Sequence, residues 1–410
     1  MTQHDLQGML FDDLLAPIET QREHDVMADI FAAAGVEVLK MDELLRVALE
    51  SAPKPAVQRL IKRVCESTGA AHASDELEDW PADRLAQGLI AGVFYGELAC
   101  AKHSLTRLHA ELVHDRPMAL RPVPNLMFMR DPCIAVYDRI VVARMATLAR
   151  AREPFIVSFA LRHGAASGAI DLDFPEDRVS RHAEFGSLEG GDLLVLSPRA
   201  LMIGCSDRTS PQAIERIAED ALFPHHANLE SIYVVMMPHG RTVMHLDTIL
   251  TQIDRRLFLA HAPLIAGRSD AKPLAVARVS RGGKSELLHS ATVLDVLRDE
   301  LGSDVELVPC GGRNPLFQER EQWTDGANAV ALAPGHILLY ARNTHTIAML
   351  AEYGFQRTDL SAVLPRDQRA ALVREGLARE RNVFTFTGSE LSRARGGGRC
   401  LTMPLERDPL

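Results

Sequence analysis

A chain of 410 residues, 47% hydrophobic and 24% charged, has ordinary globular composition and room for two or three domains, or for one large α/β unit with an insertion. Its formal charge of −10 gives no sign of the clustered basic face that nucleic-acid binding needs, and it is compatible with a cationic ligand. No apolar run approaches the ~20 residues that span a bilayer, and six scattered cysteines without a CxxC pair argue for a reducing compartment and against a disulfide framework or structural zinc.

The opening MTQHDLQGMLFDDLL lacks a basic and then apolar leader, so it reads as unprocessed and the protein is expected in the cytoplasm. REHDVMADIFAAAGVEVLKM reads as a helix, a C-terminal glycine at Gly35 and a short β-branched strand. From about Asp42 to His114 the texture changes. DELLRVALESAPKPAVQRLIKRV and PADRLAQGLIAGVFYGELACAKH carry apolar residues at three- and four-residue spacing, with breaks at Pro, Ser and Asp, which predicts amphipathic helices. After Pro122 short strands dominate. PCIAVYDRIVVARM predicts a hairpin turning at Asp138-Arg139, DLLVLSPRALMIGCS one at Ser197-Pro198-Arg199, and ANAVALAPGHILLYARN one at Pro334-Gly335. Helix-like SPQAIERIAEDAL and THTIAMLAEYGF follow the last two, and SIYVVMM reads as a further strand. This recurrence suggests a repeat architecture, with a single mixed α/β sheet as the alternative.

Four segments carry polar residues that packing does not call for. In PNLMFMRDPC, Arg130-Asp131-Pro132 interrupts an apolar run just ahead of a strand, and Pro132 forces the preceding residue to be extended. In LEGGDLLVL, Glu189 and Asp192 bracket two glycines, which permit close backbone approach or a tight bend. In VMHLDTILTQID an extended chain would point His245 and Asp247 the same way. With only His239 nearby as a further ligand, a metal site is not expected there. The closing RGGGRC sets Cys400 behind three glycines that Arg395 and Arg399 flank, where cations could stabilise a thiolate. The apolar CLTMPL that follows suits a docked final strand better than a free tail. SRGGKSELL resembles the end of a phosphate-binding loop, but Arg278 stands where the first glycine is required.

Together these parts supply a thiol, a histidine and several carboxylates. Cysteine chemistry needs a thiolate, whose ordinary pKa of about 8.5 must fall, and an acid–base group, for which histidine at about 6.5 is suited. Extra carboxylates would repel a thiolate unless the substrate is itself a cation. A guanidinium fits, because its planar fork of donors can be gripped by two carboxylates with its carbon open to attack.

The four segments in this order, together with EREQWTDGAN, closely resemble the arginine deiminase family of the guanidine-modifying superfamily, from about Leu10 to the C-terminus. The resemblance implies an α/β fold, a five-bladed ββαβ pseudo-symmetric propeller. Residues 1–41 and 115–410 would form the catalytic propeller and 42–114 an inserted helical domain. It implies hydrolysis of L-arginine to citrulline and ammonia, without metal or organic cofactor and without a nucleic-acid or membrane partner; homo-oligomerisation stays open. The family's nucleophile falls on Cys400, its guanidinium-holding carboxylates on Asp131 and Asp247, its proton shuttle on His245 and that histidine's partner on Glu189. Contacts to the amino-acid end fall on Asn125, Arg208 and Arg150, with Arg152 as the alternative register. Phe128 matches an aromatic beside the guanidinium, and Arg395 a mobile arginine near the nucleophile.

Two departures stand out. Family members begin with a strand ahead of the segment matching MLFDD, which here starts at Met9, so the first blade is expected to be incomplete. Ala394 stands where glycine is common, so strain is expected if that position needs positive φ. The alternatives are an agmatine deiminase or amidinotransferase, or an arginine-binding protein without turnover.

Overall fold

The structure, a computed structural model, describes residue 3 and residues 5–100, 105–113, 117–164, 171–172, 186–267 and 272–407. The fold is α/β. Its described strands form five separate sheets, with no closed sheet among them. Four stretches share one plan: an antiparallel hairpin, then a crossover, then a strand parallel to the hairpin's second strand. In the first, Cys133–Val136 pairs with Arg139–Val142, the helix Glu153–His163 follows, and Asp171–Leu172 returns parallel. The second joins Leu193–Ser197, Ala200–Cys205 and, after the helix Pro211–Ile217, Ser231–Met236. The third joins Leu250–Asp254, Leu257–Ala260 and Glu306–Pro309. Its crossover contains a further hairpin, Val276–Ser280 with Lys284–Leu287, that extends the second sheet instead. In the fourth, Val330–Ala333 pairs with His336–Tyr340, and Asn382–Phe386 inserts between that strand and Gln356–Leu360. Parallel neighbours need a helical crossover, and covering both faces makes their strands continuously apolar. Ala200–Cys205 (ALMIGC) is of this kind, buried along nearly its whole length.

Most predicted elements fall where the pattern placed them, and the differences have physical causes. The first hairpin turns at Tyr137-Asp138, one residue early, with Tyr137 taking the left-handed conformation at φ +54°. The glycines of SRGGKS sit in the turn of the Val276–Leu287 hairpin, which accounts for them without a phosphate. The strand expected after Gly35 does not form: Val36, Val38 and Leu39 are exposed and outside any described strand. Nor is the C-terminal segment a strand. Leu401 is buried, and Met403 and Leu405 pack against the core near the first hairpin, so the chain docks by side chains and not by ladder bonds.

Between residues 41 and 113 the amphipathic pattern yields the helices Met41–Ser51, Lys54–Ser67, Ser74–Glu78, Ala82–Ala91 and Leu105–Val113. VFYGELA leaves the expected helix, because Val93–Phe94 pairs with Met118–Leu120. Leu44, Leu45, Leu60, Ile61 and Val64 share one core with Cys133, Ile140, Val142 and Ile156, so these helices are packed onto the first unit. The expected boundary at 114–115 lies outside the described residues. No helix among the described residues is long and apolar enough to cross a membrane.

The N-terminal helix Pro17–Ala33 reaches the far end of the chain. Its buried Glu23 accepts hydrogen bonds from the backbone N–H groups of Ser389, Glu390 and Leu391, the approach to the RGGGRC loop. A carboxylate is suited to this, since clustered backbone donors favour negative charge.

Candidate active site

The chain enters each of the four hairpins through a polar tight segment: Asp131 ahead of Cys133, Glu189 and Asp192 ahead of Leu193, His245 and Asp247 ahead of Leu250, and Asp325 and Asn328 ahead of Val330. Repetition of the unit thus carries residues remote in sequence to equivalent places. The expectation that His245 and Asp247 share a face of an extended strand is not met. Leu246–Thr248 is a 3₁₀ turn, and the Leu246 N–H donates to Asp192 Oδ1 at 2.9 Å.

These segments converge. His245 Nε2 lies 2.9 Å from Glu189 Oε2, and its Nδ1 lies 3.9 Å from Asp131 Oδ1. Asp131 Oδ1 also accepts from the Gly191 N–H at 3.2 Å, and Glu189 Oε1 from the Ala146 N–H at 3.0 Å. Gly191 is required by contact: a Cβ there would sit 2.7 Å from His245 Cγ. The Cys400 carbonyl accepts from the Arg130 N–H at 3.1 Å, which ties the nucleophile candidate to the Asp131 loop. Asp247 is fully buried, and among the described residues neither of its oxygens has a hydrogen bond; Arg399 Nε faces it at 3.4 Å. A buried carboxylate without such partners is costly, so it marks a place prepared for a donor.

Charge sorts the groups. Burial would discharge His245, but Asp131, Glu189 and Asp192 outweigh it and hold the imidazolium up to about 10. Burial would raise Glu189, but the hydrogen bond and charge of His245, with Arg150 and Arg208, bring it down to about 2. Burial and the Arg399 guanidinium act in opposite directions on Asp247, and burial prevails, leaving it raised. The thiol departs from expectation. Burial, then Asp247, Asp131 and Asp325, push Cys400 well above its ordinary value. The flanking cations do not offset this: Arg395 is stacked on Trp323 and Arg399 faces Asp247. Iodoacetamide alkylation of Cys400 in the free protein is therefore expected to be slow at neutral pH and still accelerating beyond about pH 8.5, the ordinary thiol range. Peptide mass spectrometry over a pH series reads this, and a plateau already at neutral pH would contradict it.

The residues matched to the substrate's amino-acid end are placed less uniformly. Asn125 is buried and its Nδ2 donates to the Met9 carbonyl at 2.7 Å. The segment after Met9 is strapped down by Arg241 Nε on Asp12 (2.8 Å) and Arg393 Nη2 on Asp13 (2.7 Å). Arg208 is nearly buried, with Nη1 3.8 Å from Glu189 Oε1. Phe128 is buried in one cluster with Cys400. Of the two register candidates, Arg150 is the one beside Asp131. It is not a free contact, however: Nη1 donates to Asp131 Oδ2 at 2.6 Å, Nε to Glu153 Oε2 at 2.9 Å, and Nη2 to the Asn125 carbonyl at 3.3 Å. Arg395 stacks on Trp323, its guanidinium carbon 3.5 Å from the ring centroid, and donates to the Trp323 and Arg241 carbonyls. Ala394 is unstrained within the 3₁₀ turn Leu391–Ala394, and the positive φ, +65°, falls on Arg395.

Asp131, Glu189 and His245 lie close enough together to hold a metal ion. The Arg150 guanidinium already brings a fixed cation to both carboxylates, 2.6 Å from Asp131 and 3.8 Å from Glu189.

Glu153, Asp325 and Asn328 were not singled out in the sequence. Glu153 is fully buried against Arg150, and burial pushes it up to about 7. Asp325, at φ +62°, is pushed up to about 7 by burial against the pull of Arg395. The sequence sign of the last two is the family-like motif EREQWTDGAN, in which neither residue was assigned a role.

Comparison with known proteins shows the family. The profile of a family described as arginine deiminase matches residues 7–407. An arginine deiminase of Oenococcus oeni is 31% identical over 418 residues, covering 100% of this chain and 92% of the relative. One of Bacillus cereus (strain B4264) is 32% identical over 411 residues, covering 98% and 91%. A solved DDAH from Pseudomonas aeruginosa complexed with citrulline superposes with a TM-score of 0.41 at 16% identity, covering 72% of this chain and 84% of that one.

Proposed function

Since the chain belongs to the arginine deiminase family, we propose that its buried cluster performs that reaction with Cys400 as nucleophile. The protein is a hydrolase that converts L-arginine to L-citrulline and ammonia. Asp247 carries this reading: a buried carboxylate whose two oxygens have no hydrogen bond among the described residues and face the Arg399 guanidinium, near Asp131 and a thiol. A planar cation gripped there would satisfy those oxygens and would also lower the thiol's pKa, which the free protein holds high.

The steps balance. The substrate guanidinium takes over Asp131 from Arg150, which keeps its bond to Glu153. As the cation binds, the Cys400 thiol loses its proton to solvent; the thiolate adds to the guanidinium carbon, the His245 imidazolium gives its proton to one nitrogen, and ammonia leaves a thiouronium bound to sulfur. Neutral His245 then takes a proton from water as the hydroxyl adds to the same carbon. Cleavage of the C–S bond returns the thiolate, and the remaining hydroxyl proton passes to solvent, where it balances protonation of the ammonia released earlier to ammonium. Glu189 orients and charges the imidazole throughout. No step calls on a metal or organic cofactor.

We extend the proposal to architecture and setting. Repetition of the hairpin–crossover–strand plan supports a five-bladed ββαβ propeller formed by residues 1–41 and 115–410, with residues 42–114 as a helical insertion. A cytoplasmic setting fits cysteine chemistry. Asn125, Arg208 and the exchanged Arg150 face the substrate's amino-acid end, beside Phe128, and Arg395 is the mobile arginine.

Agmatine lacks the carboxylate that Arg208 would hold. Its kcat/KM is expected to fall about 10- to 150-fold below that of arginine, the worth of a charge-assisted hydrogen bond, and Arg208→Ala should narrow the gap. Colorimetric citrulline or ureido-product assays on purified protein with both substrates decide it. Equal turnover of agmatine would overturn the assignment to arginine.

A further inference from the structure

We infer that Asn328 is a positioning residue that sets the reach between the Cys400 sulfur and the Asp247 carboxylate. The inference rests on the proposed roles of those two residues. Asn328 is fully buried. Its Oδ1 accepts the Cys400 N–H at 3.1 Å, and its Nδ2 donates to the Asp247 carbonyl at 3.0 Å. One amide therefore joins the backbone of the nucleophile to the backbone of the clamp. The other side of Cys400 is tied to the second clamp loop by a backbone bond, from the Arg130 N–H to the Cys400 carbonyl at 3.1 Å. The thiol is thus referenced to Asp131 through main chain and to Asp247 through a single replaceable side chain.

The surroundings are shaped for this amide. Gly397 of the nucleophile loop lies against it, and a Cβ there would come 2.6 Å from Asn328 Oδ1. The Asn328 N–H donates to the Asp325 carbonyl at 3.0 Å, which closes the turn that aims the side chain. A side-chain amide presents an acceptor and a donor together and carries no charge. Aspartate would keep the acceptor, lose the donor and add an anion beside a thiol already held high by Asp247, Asp131 and Asp325. Alanine would lose both bonds. A misplacement of about 1 Å between reacting groups costs roughly 100-fold in rate.

The test is steady-state kinetics with arginine on Asn328→Ala and Asn328→Asp, with circular dichroism to establish folding and an iodoacetamide pH series on Cys400. The expected result is a kcat about 100-fold lower in both variants with KM within about fivefold of wild type. In Asn328→Asp the alkylation profile should also move to higher pH because of the added anion, while the loss in kcat at nearly constant KM is the readout that a purely structural role would not produce. If Asn328→Ala does not fold, Asn328→Asp, nearly identical in shape, decides the matter. Folded variants with kcat within about threefold of wild type would overturn the inference. Wild-type protein that makes no citrulline would instead sink the proposed function, so the two failures are distinguishable.

Discussion

Cys400→Ala is expected to reduce citrulline formation by about 10⁴-fold or more, as loss of a covalent nucleophile does, while arginine still binds. The expectation follows from how the site divides its labour. In the proposed mechanism the guanidinium is gripped by Asp131 and Asp247, and alanine at position 400 removes neither carboxylate. Sulfur alone can form the bond that splits the hydrolysis into two easier steps. Removing it also removes a buried group whose ionisation the neighbouring carboxylates oppose, so binding should stay within about tenfold of wild type. Calorimetry with arginine and a citrulline assay on the same preparation read the two halves of the claim. Turnover near the wild-type rate in Cys400→Ala would falsify the assignment. Binding without product in the wild type would show an arginine-binding protein without turnover.

His245→Gln should lower kcat by about 10³- to 10⁴-fold, the upper range for a general acid–base group, because in the proposed mechanism the same imidazole serves both half-reactions. The pH dependence has a definite sign. His245 is held charged up to about 10, so the acid needed for ammonia departure is present at neutral pH and is lost as alkaline pH discharges it. Glu189→Gln removes a hydrogen-bonded negative partner, so this alkaline limb should move to lower pH; an unmoved limb would place the titration elsewhere. Stability follows the same pair. The raised His245 contributes stability that is present below 6.5 and lost as pH rises through about 10. The depressed Glu189 contributes stability that is present above 4.5 and lost as pH falls toward about 2. Thermal melting of wild type and Glu189→Gln across pH should show the wild-type advantage shrink at both extremes.

Local pattern read well wherever one element's own periodicity decided its form. Apolar spacing placed the helices Met41–Ser51 and Lys54–Ser67, and Pro-Gly chemistry placed the turn at Pro334-Gly335. It misread Val36–Leu39, which has β-branched residues but no strand to pair with. A strand's stability lies in its neighbours' hydrogen bonds and not in its own sequence.

The groups of the candidate site were legible in residue order: RDP, EGGD, HLDT and RGGGRC each held polar residues that packing did not need, and their combination resembled one family. Tertiary structure alone decided their relations. It turned Arg395 onto Trp323, set Arg150 against Asp131 and Glu153, bent HLDT into a turn, raised the thiol that flanking arginines were expected to lower, and linked Cys400 to Asp247 through Asn328. The reason is distance. Coulombic and hydrogen-bond energies depend on separations of a few ångströms between groups that lie far apart along the chain, and no local pattern encodes those separations.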